Sequence, residues 1–122
     1  MNIYESAEDY LERIYMIKAE KGYVKSVDLA KSLGVSKPSV SFAMKQLSQN
    51  GYIRMDDSKC IELTSKGKEI ADKIYARHKL LSDMLIRLGV SQETAIMDAC
   101  RLEHHVSDET FEALQKLNEY IK

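Results

Sequence analysis

The fold is decided by residues 26–50, which read SVDLAKSLGVSKPSVSFAMKQLSQN. Ser26 and Ser36 each precede a run of apolar residues at helical spacing, and serine is a favoured N-cap of helices. Gly34 lies between the two runs and can adopt the left-handed backbone that a tight turn needs. The stretch therefore predicts a short helix, a glycine turn and a second helix. Pro38 falls in the first turn of that second helix, where a missing N–H costs nothing.

The residues on either side of this stretch predict a helix in front of it and two strands behind it. Apolar side chains recur at helical spacing from Tyr10 to Ile17, and Gly22 ends this first helix. Two strand-like runs, 52–55 and 60–63, flank a short polar turn. A helix, a short helix, a turn, a helix and a hairpin in this order are typical of a winged helix-turn-helix, in which the hairpin is the wing.

The rest of the chain is predicted to be helical. A long helix should run from Thr64 to about Leu88, and two more should begin at Ser91 and near Ser107. The predicted fold class is thus mainly α, with an N-terminal winged helix-turn-helix, a two-stranded wing and a helical dimerisation domain. The predicted domains are 1–63, which would bind DNA, and 64–122, which would bind metal and dimerise.

Size and composition limit the class of protein. The chain has 122 residues, 44% of them hydrophobic, which suits one domain or a small domain with a helical extension. Glu5, Glu8 and Asp9 argue against a signal peptide, and no apolar run approaches the roughly 18 residues of a membrane span. Cys60 and Cys100 are far apart and form no C-x-x-C pair, which favours a reducing cytoplasm.

The charge is unevenly distributed along the chain. From Lys21 to Leu80 there are 12 Lys and Arg against 6 Asp and Glu, whereas the remainder holds 6 against 13. A basic middle with acidic ends is typical of a polyanion-binding module joined to another module. The alternative is a solvated surface of mixed charge.

The start of the second helix of the motif is the candidate DNA-reading surface, because its N-terminal residues approach base edges in helix-turn-helix proteins. Lys37 suits a phosphate or a guanine edge, and Pro38 and Phe42 could contact a thymine methyl. This start has no Arg or Gln, so shape and phosphate contacts should dominate. The alternative is that its hydroxyls only cap the helix. The predicted DNA-binding residues are Ser36, Lys37, Pro38, Ser39, Ser41, Phe42, Lys45, Arg54 and Lys59.

Potential metal ligands occur at helical spacing in two places. Cys100, Glu103 and His104 stand at i, i+3 and i+4, which places them on one face of a helix. Asp9 and Glu12 share a face of the first helix in the same way. Each could instead be an ordinary surface or core residue. Together with His78 on the long helix, they supply carboxylate, imidazole and thiolate donors, a mixture suited to Mn(II), Fe(II), Co(II) or Zn(II).

Three runs carry a resemblance to a known family. They are EDYLERIY at 8–15, LTSKG at 63–67 and DACRLEHHVSDE at 98–109. The chain resembles the diphtheria toxin repressor family of metal-dependent regulators over nearly its whole length, and it is most similar to the shorter, manganese-sensing branch. The resemblance implies that the metal ligands are Asp9, Glu12, His78, Cys100, Glu103 and His104.

The chain also departs from the pattern of each branch of that family. The manganese branch usually has Glu at the position of Cys100, and the iron branch usually has Met at the position of Asp9. The iron branch's second, ancillary site falls on Ser82 and Ile96, which are poor replacements for its His and Glu ligands. The resemblance therefore implies Mn(II) or Fe(II) as the cofactor.

The function implied by the resemblance is a homodimeric repressor that binds a double-stranded DNA operator of metal-uptake genes. Our hypothesis is that a cation held by ligands from the first, fourth and fifth helices locks the DNA-reading module to the dimerisation module. One alternative is a metal-independent winged-helix regulator that responds to a partner or a small molecule. Another is a hydrolytic metalloenzyme with Glu103 as base, but the chain has no H-E-x-x-H helix. We expect no enzymatic activity.

Overall fold

The structure, a computed structural model, describes residues 5 to 120. This part of the chain forms six helices and one antiparallel pair of strands. The elements are α1 Glu5–Lys21, α2 Ser26–Leu33, α3 Lys37–Gln49, β1 Ile53–Met55, β2 Ile61–Leu63, α4 Ser65–Arg87, α5 Gln92–Leu102 and α6 Asp108–Tyr120.

The chain divides into two compact units that meet inside α4, between Asp72 and Lys73. The first unit has the element order of a winged helix-turn-helix, which confirms the predicted fold class. The predicted domain boundary between residues 63 and 64 stays a prediction. The apolar core of the first unit consists of Leu11, Ile14, Val24, Leu29, Val40, Met44, Leu47, Tyr52, Ile53, Ile61 and Ala71.

The glycine turn between α2 and α3 forms as predicted. Gly34 has a φ of +68°, in the left-handed region that favours glycine. Ser36 caps α3, because its Oγ accepts a hydrogen bond from the Ser39 amide at 3.3 Å. The predicted cap of α2 is wrong by one residue, since α2 begins at Ser26 and the cap position is Lys25. The Lys25 amide donates to Asp28 Oδ2 at 2.9 Å, so an acid three residues on satisfies this helix start.

The wing is a short hairpin whose turn is organised by one aspartate. Its strands pair with Arg54 opposite Glu62. Asp56 Oδ1 accepts hydrogen bonds from the amides of Ser58 and Cys60, each at 2.9 Å. This side chain therefore replaces backbone partners that the tight turn leaves out.

The junction between the wing and α4 gives the run LTSKG a structural role. Thr64 Oγ1 donates to the carbonyl oxygen of Gly51 at 2.6 Å and accepts from the Gly67 amide at 3.2 Å. The Thr64 amide donates to the Tyr52 carbonyl oxygen at 3.1 Å. A Cβ atom on Gly67 would lie only 2.1 Å from that same oxygen. The first turn of α4 is thus packed directly against the backbone that leads out of α3.

The second unit contains the rest of α4 with α5 and α6. Serine caps begin both later helices: Ser91 Oγ accepts from the Thr94 amide at 3.4 Å, and Ser107 Oγ from the Thr110 amide at 3.1 Å. Its buried apolar residues are Ile74, Leu81, Met84, Ala95 and Ala99. Across residues 5–120, no helix combines the length and apolar character needed to cross a bilayer.

Candidate metal centre and nucleic-acid interface

Helix α3 has one buried face and one exposed face. Val40, Met44 and Leu47, at i, i+4 and i+7, are buried in the core of the first unit. The opposite face is exposed to solvent. The structure leaves all nine predicted DNA-binding residues exposed: Ser36, Lys37, Pro38, Ser39, Ser41, Phe42, Lys45, Arg54 and Lys59.

The side chains at the start of α3 differ in what they can offer to DNA. Ser36 Oγ caps the helix and donates to Ser39 Oγ at 2.8 Å, so both hydroxyls are already engaged. Phe42 is 65% exposed, an unusual state for a large apolar side chain on a small domain. Lys37 and Ser41 are exposed on the same helix. Apolar contact by Phe42 and phosphate contact by Lys37 are therefore the strongest contributions this surface offers.

The wing carries both signs of charge. Arg54 lies 4.0 Å from Glu62 across the strand pair, with 72% of its side chain exposed. Lys59 adopts a left-handed backbone with a φ of +63°, at the turn. Asp57, also exposed, adds a negative charge nearby. Since an exposed pair at this distance is weak, Arg54 can exchange Glu62 for a phosphate at little cost.

An open groove of about 350 Å³ lies along α3 and the wing. Ser48 and Gln49 contribute polar groups to it and were not predicted as interface residues. Helical spacing would have found them, because Ser48 and Gln49 follow Ser41 by seven and eight residues and therefore lie on the same side of α3. The groove is lined by Ser26, Ser41, Met44, Lys45, Ser48, Gln49 and Met55.

The thiol–carboxylate–imidazole triplet spans the end of α5, because Cys100 lies in the last turn of the helix and Glu103 and His104 follow it. The helix ends at Leu102, so the prediction that one continuous helix carries all three side chains is wrong. Glu103 keeps a helical backbone, and its amide donates to the carbonyl oxygen of Ala99 at 2.9 Å. As a result the Cys100 Sγ and a Glu103 carboxylate oxygen still lie within 4.8 Å of each other. His104 follows in the turn after the helix.

Glu103 is the centre of this cluster. Its side chain is fully buried. One carboxylate oxygen, Oε2, lies 3.0 Å from His78 Nδ1 of α4. The other, Oε1, accepts no hydrogen bond within the described part of the chain and lies 3.4 Å from His104 Nε2. A buried carboxylate is costly unless a cation or strong donors compensate it, so this donor set fits a divalent cation.

Two further predicted ligands belong to the first unit. Asp9 and Glu12 stand at i and i+3 on α1, as the spacing predicted. Glu12 is buried, with 4% of its surface exposed, and Asp9 is half-buried. A buried glutamate is uncommon on a helix of a small domain. Their role as ligands stays a prediction.

Sequence reasoning missed Arg77, the residue just before His78. Arg77 is 5% exposed. Its Nη1 donates to the main-chain carbonyl oxygens of Glu103, at 3.1 Å, and of Val106. Its Nη2 donates to Asp108 Oδ1 at 2.6 Å. A signal was present in the sequence, because Arg77 interrupts the apolar stripe Ile74, Leu81 and Met84 of α4 at the spacing of a core position.

An exposed reading helix on a winged helix-turn-helix, followed by a helical unit with a buried cluster of metal-type donors, defines a metal-responsive DNA-binding protein. Comparison with known families identifies it further. The profile described as "Iron dependent repressor, N-terminal DNA binding domain" matches residues 2–61. The profile described as "Iron dependent repressor, metal binding and dimerisation domain" matches residues 64–122. The chain belongs to the iron dependent repressor family of metal-dependent transcriptional regulators.

Individual relatives agree with this assignment. The chain is 36% identical over 117 residues to the HTH-type transcriptional regulator MntR of Bacillus subtilis (strain 168), covering 96% of this chain and 82% of that protein. It is 41% identical over 120 residues to an uncharacterized HTH-type transcriptional regulator of Methanocaldococcus jannaschii, and the match covers 97% of this chain and 96% of that protein. These matches confirm the resemblance to the diphtheria toxin repressor family and its manganese branch.

A solved structure shows the same fold. The manganese regulator SloR superposes with a TM-score of 0.82 at 31% identity, over 93% of this chain. The matched part is 54% of the SloR chain, so the present chain spans just over half the length of this structural relative.

Proposed function

We propose that the chain is a homodimeric repressor that binds a double-stranded DNA operator of metal-uptake genes when Mn(II) or Fe(II) is bound. The observation that carries the proposal is the buried Glu103 carboxylate flanked by His78 and His104, with Cys100 nearby. Such a cluster lies in the same chain as a DNA-reading helix whose outer face is exposed. In this proposal residues 1–63 read DNA and residues 64–122 bind metal and dimerise, in the cytoplasm.

The proposed ligand set joins these residues to the two acids of α1. Glu103 would bind through its carboxylate, Cys100 through its thiolate, and the histidines through a ring nitrogen each. Asp9 and Glu12 are included because of the sequence resemblance and because Glu12 is a buried acid. The proposed ligands are Asp9, Glu12, His78, Cys100, Glu103 and His104. A bound divalent cation would supply positive charge that compensates these carboxylates and the thiolate.

Manganese is favoured among the possible metals by the oxygen donors and by the solved relative described as a manganese regulator. Carboxylates suit the hard ion Mn(II), whereas thiolate favours softer and later metals. Cys100 therefore lowers the preference for Mn(II) that Asp9 and Glu12 would otherwise give. We infer a site that accepts Mn(II) and Fe(II) and that binds Co(II) and Zn(II) strongly in solution.

The proposed control of DNA binding follows from charge. Without a cation, the carboxylates of the ligand set repel one another, and the state that holds them together is disfavoured. Metal bound at Glu103 and His104 favours DNA binding only to the extent that it binds the DNA-competent state more tightly than the other state. A dimer multiplies the modest affinity that one reading helix with few bidentate donors can offer, because the second half-site is bound at a high effective concentration.

The test is DNA binding measured by fluorescence anisotropy, with a labelled duplex selected from a random-sequence library in the presence of Mn(II). The native chain is titrated anaerobically with Mn(II), Fe(II), Co(II) and Zn(II). We expect metal to strengthen DNA binding, and His104→Ala to remove that response. His105→Ala is the matched control, because His105 is exposed and one residue away. Tight DNA binding that is equal with and without metal would contradict the proposal and favour a metal-independent winged-helix regulator.

A further inference from the structure

Arg77 is a buried cation whose hydrogen bonds, within the described residues, all go to the short segment that carries two proposed ligands. The segment runs from Glu103, at the end of α5, to Asp108, at the start of α6. One guanidinium nitrogen, Nη1, serves the carbonyl oxygens of Glu103 and Val106. The other, Nη2, lies 2.6 Å from the Asp108 carboxylate. Arg77 thus fixes the segment at its first residue, near its middle and at its last residue.

The surroundings of Arg77 hold the guanidinium itself in place. Its centre lies 5.3 Å from the ring centroid of Phe111, a distance at which a cation is attracted to the ring face. Asp108 also pairs with Lys73 at 3.0 Å. The ammonium of Lys73 and, to a smaller extent, the guanidinium of Arg77 hold the pKa of Asp108 below its ordinary value. Asp108 therefore stays ionised at neutral pH and remains a partner for Arg77.

The chemistry of this arrangement bears on ligand geometry. A planar guanidinium donates in fixed directions, so it orients several acceptors at once in a way that a lysine ammonium does not. Glu103 is held at its own carbonyl group, next to the Cα that carries its carboxylate. His104 lies inside the same fixed segment. Groups that hold ligands in the binding geometry before the metal arrives typically contribute about 10- to 100-fold in metal affinity.

We propose that Arg77 is a positioning residue that preorganises Glu103 and His104 for metal binding. This inference rests on the proposed function, since it takes these two residues to be ligands. The competing explanation is that Arg77 only ties the start of α6 to α4. The two explanations differ in what they predict: positioning changes metal affinity, whereas a purely structural tie changes only the stability of the metal-free chain.

The experiment compares variants of the full chain by isothermal titration with Mn(II) and with Co(II). Arg77→Met removes all the hydrogen-bond donors of the side chain, and Arg77→Lys keeps the positive charge but loses the planar guanidinium with its fixed donor directions. Asp108→Ala removes the outer anchor at a side chain that is 70% exposed, so this variant should fold even if Arg77→Met does not. Glu109→Ala is its matched control, because Glu109 is also an acid in the first turn of α6. Urea unfolding of each metal-free variant measures stability separately.

We expect metal affinity to fall about 10- to 100-fold in Arg77→Met. A smaller fall is expected in Arg77→Lys and in Asp108→Ala, and none in Glu109→Ala. In the absence of metal, amide hydrogen exchange at residues 103–106 should be faster in Arg77→Met and Arg77→Lys than in the native chain. If a folded Arg77→Met binds metal as tightly as the native chain does, this inference is wrong but the proposed function stands. If Arg77→Met does not fold, the same result in Asp108→Ala has the same meaning. A native chain that binds neither metal would overturn the proposed function and this inference together.

Discussion

Gly67→Ala should destabilise the chain, although alanine normally stabilises a helix. In an open helix the change would be favourable by about 1 kcal/mol. Here the new Cβ would lie 2.1 Å from the Tyr52 carbonyl oxygen, against an ordinary carbon–oxygen contact of about 3.3 Å. Tyr52 is buried in the core, and its carbonyl oxygen accepts the Thr64 amide. The backbone must therefore move by roughly 1 Å or lose that hydrogen bond.

The expected magnitude follows from these opposing effects. Overpacking costs about 1–3 kcal/mol, and a weakened buried hydrogen bond adds about 1 kcal/mol. After the helix propensity of alanine is subtracted, a loss of about 2 kcal/mol remains. For a unit of this size that lowers the Tm by roughly 8–16 °C.

The assay is urea and thermal unfolding followed by far-ultraviolet circular dichroism at one fixed protein concentration, because dimerisation would make the Tm concentration-dependent. Lys68→Ala, at the next and exposed position of α4, is the control and should change stability by less than about 0.5 kcal/mol. A Gly67→Ala variant as stable as the native chain, or more stable, would refute the reasoning about the junction.

Three other predictions concern metal choice, DNA contact and acid stability. Cys100→Glu should weaken the binding of Co(II) and Zn(II) relative to that of Mn(II), whereas Cys60→Ser on the wing should not. Competition titrations measure the ratio of these affinities, and an unchanged ratio in Cys100→Glu would mean that the thiol is not a ligand. Lys37→Ala should lower the slope of log affinity for DNA against log salt by about 1, and an unchanged slope would exclude a phosphate contact. The hydrogen bond from Lys21 and that from the Lys25 amide hold the pKa of Asp28 below its ordinary value. The stabilisation that these hydrogen bonds give is therefore present above the unfolded pKa of Asp28 and lost as pH falls through its folded pKa. Asp28→Asn should thus lower the free energy of unfolding near pH 7 and lower it progressively less in acid. Urea midpoints of the native chain and the variant that differ equally at pH 7 and in acid would contradict this.

Local chemistry explains why so much of the first unit could be predicted from sequence. The Gly34 turn, the Ser36 cap and the two-stranded wing each depend on residues close together in the chain. The cap of α2 was misplaced because both Lys25 and Ser26 precede the apolar run, and the acid that satisfies the cap is Asp28 rather than the serine hydroxyl.

The candidate metal centre could be predicted only in part. Spacing and resemblance indicated the candidate ligands, and the structure places Glu103 next to both His78 and His104. The early end of α5 could not be read from the local sequence, because no glycine or proline marks it. The carbonyl oxygen of Glu103, just past that end, accepts a hydrogen bond from Arg77 of α4, a residue 26 positions away. A long-range contact of this kind leaves only an indirect trace, an arginine in an apolar stripe.

In the proposed function, metal binding at the Glu103 cluster and DNA binding are coupled. Coupling between two ligands is reciprocal, so DNA must strengthen metal binding by the same factor by which metal strengthens DNA binding. The direct measurement is titration calorimetry with Mn(II), in the absence and in the presence of a saturating duplex. We predict that the duplex tightens Mn(II) binding by the factor found from anisotropy, on the order of 5- to 150-fold. Equal Mn(II) affinity with and without the duplex would contradict this coupling.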